Sequence, residues 1–311
     1  MHVYSAPAKI ILFGEHAVVY GEPAIAAPFK TLQAQVTATP APPGSGLSIL
    51  GAADGLALHV SLANDRPDNA LIYAAQLVLR ALGKQPPDLT LELRSNIPIG
   101  GGFGSGAAVS AALMRALSAA LGNLLSGEAL NSLVYQVEQL HHGTPSGIDN
   151  TVIVYEQPVY FVRGRAPETF KVGAPLHFLV IDSGVSASTR ETVSAVRRLY
   201  TADQARYGAI ISEIGALVRS ARQLIETGSQ LEALGELMNA NHALLRALSV
   251  SSTHLDQLCA VARAQGAYGA KLSGGGRGGS LIALIEPDLA PRLSAALRQA
   301  GAAQTWLMHL A

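Results

Sequence analysis

Two glycine-dense runs and two carboxylates are the residues of this chain whose types and spacing can do chemistry. The first run, Pro98-Ile-Gly-Gly-Gly-Phe-Gly-Ser-Gly-Ala-Ala108, lies between a strand-like and a helix-like segment. A helix start offers unpaired N–H groups and a partial positive charge of about half a unit, and glycines let a polyphosphate come close to the backbone. The run therefore reads as an anion cradle involving Pro98, Gly100, Gly101, Gly102, Gly104, Ser105, Gly106 and Ala107. A tight turn without a ligand fits the same glycines. No Lys-Ser or Lys-Thr follows them, which separates the run from a Walker A loop. Gly102 to Ala107 spells GxGxxA, but no strand ending in an acidic residue arrives about 20 positions later to hold a ribose.

The carboxylates are Glu138 and Asp149, in Glu138-Gln-Leu-His-His-Gly-Thr-Pro-Ser-Gly-Ile-Asp149. Glu138 is expected on the last turns of a helix, and Asp149 after a Gly/Pro/Ser turn at the start of a strand. One of them can hold a metal while the other meets the substrate, the division of labour that phosphoryl transfer asks for. A solvated helix face and a turn or cap residue are the plainer readings of the two. His141 and His142 point about 100° apart on a helix and are read as loop support rather than as ligands. The second glycine run, Lys271-Leu-Ser-Gly-Gly-Gly-Arg-Gly-Gly-Ser280, suggests a second wall of a polyanion site, to which Arg277 could add charge.

These segments need strands and helices to carry them. Lys9–Phe13, Thr31–Ala38, Leu56–Leu62, Leu89–Leu93, Thr151–Val162 and His177–Ile181 read as strands, as do Ala270–Leu272 and Ser280–Ile285. Helical periodicity runs through Asp68–Leu82, Ala107–Leu121, a segment capped by Ser126 to about His142, Arg190–Arg222, Gln230–Leu248 and Leu255–Ala264, with a terminal helix at Pro291–Ala300. Pro40–Gly46 is a loop by composition, and Gly164–Ala174 a boundary. Strands and helices mix without a regular βαβ alternation or a fixed repeat, so the expected class is α+β with two domains, 1–172 and 173–311.

Composition narrows the function classes. Lys plus Arg and Asp plus Glu are equal at 22 each, so no broad basic field exists to hold a nucleic-acid backbone or an anionic membrane, and any phosphate must be caught locally. Cys259 is the only cysteine, which excludes a disulfide framework and a multi-cysteine zinc site and suits a small buried residue in a reducing compartment. The N-terminal run lacks the features of a secretory signal. Ile97–Met114 is uncharged, but Pro98 and five glycines make it a poor membrane span. A cytoplasmic protein is expected, with no membrane or nucleic-acid partner; a homodimer stays open.

In this order the segments resemble the signatures of the GHMP kinases. Ser5-Ala-Pro-Ala-Lys-Ile-Ile-Leu-Phe-Gly-Glu-His-Ala-Val-Val-Tyr-Gly21 is similar to the first motif of the members that phosphorylate mevalonate. Pro98–Ala108 is similar to the ATP-binding motif, His142–Asn150 to the loop bearing the catalytic aspartate, and Lys271–Ser280 to the third motif. The resemblance implies an N-terminal domain like the second domain of ribosomal protein S5 and a ferredoxin-like C-terminal domain. It also implies ATP on the Pro98 loop, Mg²⁺ as the metal and mevalonate as the phosphoryl acceptor. Carried over by position, Asp149 is the base, Lys9 polarises the hydroxyl and Glu138 ligates Mg²⁺. Glu15 and His16 are substrate-side residues, and Thr189 supports the aspartate. Two departures stand out: Ala8 where glycine is frequent, and Gly106 where the family usually has a serine that gives a hydroxyl to the metal, a role Ser105 or water would have to take. Related acceptors, phosphomevalonate, homoserine or a sugar, are the rivals, and a non-catalytic binding module of the same fold is the alternative from another class. Asp149 weighs against homoserine kinases, which lack that base.

Overall fold

The computed structural model describes residues 2–53, 56–62, 69–98, 100–142, 145–228 and 230–311. Asp68, Ile99, Gly143 and Thr144, and the side chains of His141 and His142, lie outside the described residues. The chain forms two compact units. One comprises Met1–Lys9, Pro28–Ile99 and Gly104–Glu156; the other comprises Ile10–Ala27, Gly100–Phe103 and Gln157–Ala311.

In the first unit, strands β1 (Val3–Phe13) and β2 (Ala24–Pro40), both shared with the second unit, join β3 (Leu47–Ala53), β4 (Leu56–Ser61) and β5 (Leu89–Ser95). The order is β4-β3-β5-β2 with β1 on β2; β3 and β5 are parallel, and Val36 of β2 faces Leu93 of β5 in antiparallel register. Four helices follow: α1 (Ala70–Leu82), α2 (Ser105–Ala120), α3 (Gly127–His142) and α4 (Ile148–Tyr155). Asn69 caps α1 by accepting from Leu71 and Ile72 N–H, and Gly83 ends it in the left-handed region. Helix α2 lies against α1, α3 and α4, and its buried Ala107, Ala108, Ala111, Ala112 and Ala116 allow close approach.

Helix α4 overturns the strand expected at Thr151–Val162, of which only β6 (Val159–Phe161) is extended. Thr151, Val152, Ile153 and Val154 favour a strand by propensity, but each loses only a fraction of a kcal/mol in a helix. Burial of Ile148 and of Asn150 to Val154 outweighs that preference. Arg115 fastens the end of α4, donating to the Val154 carbonyl at 2.8 Å and pairing with Glu156 at 2.6 Å.

In the second unit, β6 pairs with Ala24–Ala26 of β2 and with β7 (Glu168–Thr169). The rest is β8 (Leu176–Asp182), α5 (Thr189–Ala202), α6 (Gln204–Thr227), α7 (Leu231–Ala247), α8 (Thr253–Ala264), β9 (Gly269–Ser273), β10 (Ser280–Leu284), α9 (Ala290–Gln299) and β11 (Gln304–Leu310). Strands β8 to β11 make an antiparallel sheet in the order β11-β8-β10-β9, the ferredoxin-like arrangement. The helical stretch expected from Arg190 to Arg222 is two helices. Asp203, with φ −146° and ψ 82°, breaks it and then caps α6 through Arg206 N–H. The expected terminal helix is followed by β11, whose Met308 and Leu310 are buried. Cys259 is buried on α8, and its thiol is pushed up to about 12 by that burial.

Candidate active site

The first unit builds a charged cluster around the start of α2. Lys9, on β1, is buried, and its Nζ lies 3.1 Å from Asp149 Oδ1. Asp149 sits in the first turn of a helix, not at the start of a strand; Gly147, at φ 90°, makes the turn into α4. The Asp149 side chain is 31% exposed, so one partner of the pair reaches solvent. Gly104 precedes α2 at φ 74°, and a Cβ there would stand 2.9 Å from Lys9 Cγ and 3.0 Å from Ile153 Cδ1. Its missing side chain is what lets Lys9 extend past the helix start.

Glu138 is on the last turns of α3 as expected, but it is buried rather than solvated. Burial first, then the charge of Asp149, push its carboxyl up to about 7, against the pull of Lys9. Gly106, in the first turn of α2, would place a Cβ 3.3 Å from Glu138 Oε1. Ser105 opens the helix half-buried. The N–H groups of Ser105, Gly106 and Ala107 precede the first bond of the helical ladder, from Ala108 N–H to the Gly104 carbonyl at 3.0 Å, and no side chain caps that end. Pro98, half-buried, follows β5.

In the second unit Gly100, Gly101 and Gly102 share a crevice with Ala187, Thr189, Ser273 and four glycines of the Lys271–Ser280 run. Thr189 is the first residue of α5, against Gly275, whose Cβ would fall 2.7 Å from Thr189 Oγ1. Two glycines of the Lys271–Ser280 run have a packing cause: a Cβ on Gly276 would meet the Val250 carbonyl at 2.0 Å, and one on Gly278 the Val185 carbonyl at 2.4 Å. Arg277 is exposed and turns its Nε to the Ser249 carbonyl at 3.3 Å.

Glu15 and His16 are both buried. Glu15 pairs with the fully buried Lys271. His16 holds a left-handed φ of 62° and donates from Nε2 to the Gly275 carbonyl at 3.0 Å, so Nδ1 is the acceptor nitrogen of a neutral ring. Burial is the main reason its pKa falls to about 4; the Gly275 bond opposes and Arg277 adds to the effect.

Sequence reasoning gave Lys271 no role, although a lysine opening a glycine-rich strand end was the signal. Tyr20 and the part of α5 beyond Thr189 were given no site role either. The Tyr20 hydroxyl is buried without a hydrogen-bond partner among the described residues, its ring lies 4.7 Å from that of Tyr200, and Arg197 bears on it electrostatically. Arg197 lines a hollow with Ser194, Arg198, Thr201 and Ala202. Among the described residues no group of three or more His, Cys, Asp or Glu is placed to hold a metal, and no helix is long and apolar enough to cross a membrane.

Comparison with known proteins places this geometry. Residues 69–157 match the GHMP kinases N terminal domain and residues 216–303 the GHMP kinases C terminal domain. Mevalonate kinase of Thermococcus onnurineus is 36% identical over 315 residues, covering 96% of this chain and 92% of its own. The crystal structure of L. major mevalonate kinase in complex with R-mevalonate superposes with a TM-score of 0.86 at 29% identity, covering 100% of this chain and 96% of that one. The Methanococcus jannaschii mevalonate kinase gives 0.89 at 25% identity, covering 100% and 98%. An α+β chain of two units, with its glycine loops and its lysine–aspartate pair in this order, matched along nearly its whole length by such relatives, belongs to the GHMP kinase family.

Proposed function

We propose that this protein transfers the γ-phosphoryl group of ATP to the primary hydroxyl of mevalonate, giving 5-phosphomevalonate and ADP. The observation that carries the reading is the Lys9–Asp149 pair at 3.1 Å, with the aspartate partly open and the lysine buried. Asp149 Oδ accepts the hydroxyl proton as the oxygen attacks, and Lys9 Nζ, held in place by the bare Gly104, offsets the charge that builds on that oxygen. The N–H groups of Ser105, Gly106 and Ala107 receive phosphate oxygens.

The donor set beside them suits Mg²⁺, which takes hard oxygen ligands and keeps several waters. Glu138, a buried carboxylate beside a second carboxylate, and the Ser105 hydroxyl would hold it. Mg²⁺ held there would supply positive charge against the negative charge that develops on the transferred phosphoryl group. In the second unit, neutral His16 can accept a substrate hydroxyl at Nδ1, Thr189 and Glu15 belong to the same substrate-side set, and Arg197 offers the substrate carboxylate a countercharge. The relatives named mevalonate kinase, at 34–36% identity, support this acceptor over its rivals.

Incubation of the purified protein with MgATP and separate samples of mevalonate, phosphomevalonate, homoserine and galactose tests the assignment. Phosphorus NMR and mass spectrometry should find 5-phosphomevalonate from mevalonate as the main product. Turnover confined to another alcohol would replace mevalonate as the acceptor, and no turnover on any would remove the kinase reading.

A further inference from the structure

The strand β9 and the loop after it fasten the end of β1 and the Glu15–His16 turn beyond it at three alternate residues. Lys271 Nζ pairs with Glu15 Oε1 and donates to the Leu272 carbonyl at 2.7 Å. Ser273 Oγ accepts from Ile11 N–H at 3.1 Å and donates to the Ile11 carbonyl at 2.8 Å. The Gly275 carbonyl accepts from His16 Nε2 at 3.0 Å. Strand β9 is itself fixed along its open edge, because α7 covers it with side chains. Ala270 N–H donates to Asn239 Oδ1 at 3.1 Å, and Leu272 N–H donates to His242 Nδ1 at 3.3 Å. With Nδ1 accepting, His242 carries its proton on Nε2 and gives it to Asp256 Oδ1 at 3.0 Å.

Within this template Lys271 is a costly choice. It is 0% exposed, and a buried ion pair gains little stability over a well-packed apolar pair of similar volume, whereas removing one partner strands the other charge. What the pair supplies is position: the Lys271 ammonium holds the Glu15 carboxylate one residue before a histidine at φ 62°, a conformation that non-glycine residues seldom adopt. We propose that Lys271 is a positioning residue for the acceptor side of the site, setting Glu15 and through it the His16 turn, without touching substrate or nucleotide. This rests on the reading of Glu15 and His16 as mevalonate-side residues.

The test is a double-mutant cycle with Lys271→Met, Glu15→Gln and the two combined. Each protein is checked for a cooperative thermal transition above the assay temperature before KM for mevalonate, KM for ATP and kcat are measured. Lys271→Met should raise KM for mevalonate about tenfold, the scale of one charge-assisted hydrogen bond, and leave KM for ATP within about threefold. Because Lys271 acts through Glu15, adding Lys271→Met to Glu15→Gln should change KM for mevalonate by less than about twofold. An unchanged KM for mevalonate in folded Lys271→Met, a full tenfold rise on the Glu15→Gln background, or a rise confined to KM for ATP would each overturn the proposal. If Lys271→Met alone does not fold, Glu15→Gln and the double variant, which has no stranded buried charge, are compared directly; equal KM supports the proposal and unequal KM overturns it. Wild-type turnover is measured first. If the wild type prefers another alcohol, the mevalonate reading fails, and the same KM split measured with that alcohol still decides the role of Lys271.

Discussion

Gly104→Ala should be the most damaging single-methyl addition in the Pro98–Ala108 loop, and the structure says why. The residue sits at φ 74°, where an L side chain costs about 1–2 kcal/mol. The new Cβ would also stand 2.9 Å from Lys9 Cγ and 3.0 Å from Ile153 Cδ1, inside van der Waals contact on two sides. Overpacking of this kind adds about 1–3 kcal/mol, so a total near 3 kcal/mol is expected. Gly102→Ala is the matched control: its φ is 78°, but among the described residues nothing lies within 4 Å of the added methyl, so only the backbone cost of about 1–2 kcal/mol applies. The two variants also separate in activity. Relieving the Gly104→Ala clash pushes the Lys9 stem aside and pulls Nζ from its 3.1 Å contact with Asp149, and a misplacement near 1 Å costs about 100-fold in rate. Urea unfolding gives the stabilities, and kcat at saturating ATP and mevalonate, corrected for the folded fraction, gives the activity. Equal destabilisation of the two variants, or a kcat for Gly104→Ala within threefold of wild type, would refute the claim that this glycine exists to seat Lys9.

Asp149→Asn should lower kcat by several orders of magnitude while MgATP binding, followed by calorimetry, stays near wild type; near-normal turnover would remove Asp149 from the mechanism. Acid stability should be set by groups of opposite sign. His16 and His242, each held near 4 mainly by burial, are neutral in the folded chain, so the unfolded chain binds more protons below about pH 6.5 and stability falls as pH drops. Glu138, raised to about 7, takes its proton first in the folded chain, which offsets about 2 kcal/mol of that loss between pH 7 and 5. Urea titrations should therefore show Glu138→Gln losing about 2 kcal/mol more than wild type over that interval, and parallel curves would exclude the raised carboxyl. Gly106→Ser puts a hydroxyl beside Glu138 Oε1, 3.3 Å from the added Cβ, at a helical position that serine tolerates. The Mg²⁺ concentration for half-maximal activity should fall about fivefold with KM for mevalonate unchanged, and an unmoved Mg²⁺ titration would mean that Ser105 or water already fills the place.

The parts of the site that were legible in the sequence are those in which one residue type answers one local demand. Glycines at a helix start, a glutamate at the helical phase of α3 and the Ser126 cap, which accepts from Ala129 N–H, read correctly because their causes lie within a turn of the residue. Helix α4 did not, since its β-branched run favours extension locally and only burial on several sides selects the helix. Strands β3 and β11 were missed for a related reason: Leu47–Ala53 contains a glycine and two alanines that dilute a period-2 pattern, and β11 has exposed Leu307 beside buried Met308. Gly276 and Gly278 read as part of a polyanion wall, yet the carbonyls they admit belong to Val250 and Val185, residues far away in sequence. Lys271 was invisible as a site residue because its partner, Glu15, is 256 residues away.

Two buried lysines, each paired with a carboxylate, stand in this molecule, and their difference argues which one does chemistry. The Lys9–Asp149 pair has one open side: the lysine side chain is 6% exposed and the aspartate 31%. The Lys271–Glu15 pair is shut, at 0% and 1%. A general base must bring a carboxylate oxygen within hydrogen-bond reach of the substrate hydroxyl, which requires a carboxylate that solvent and substrate can reach while its other oxygen keeps the lysine. Asp149, in the first turn of a short helix and reachable on one side, meets that condition. Glu15 does not: its side chain is 1% exposed and is held against Lys271, which is 0% exposed. The open pair thus suits a charge that moves, and the shut pair a charge that stays in place.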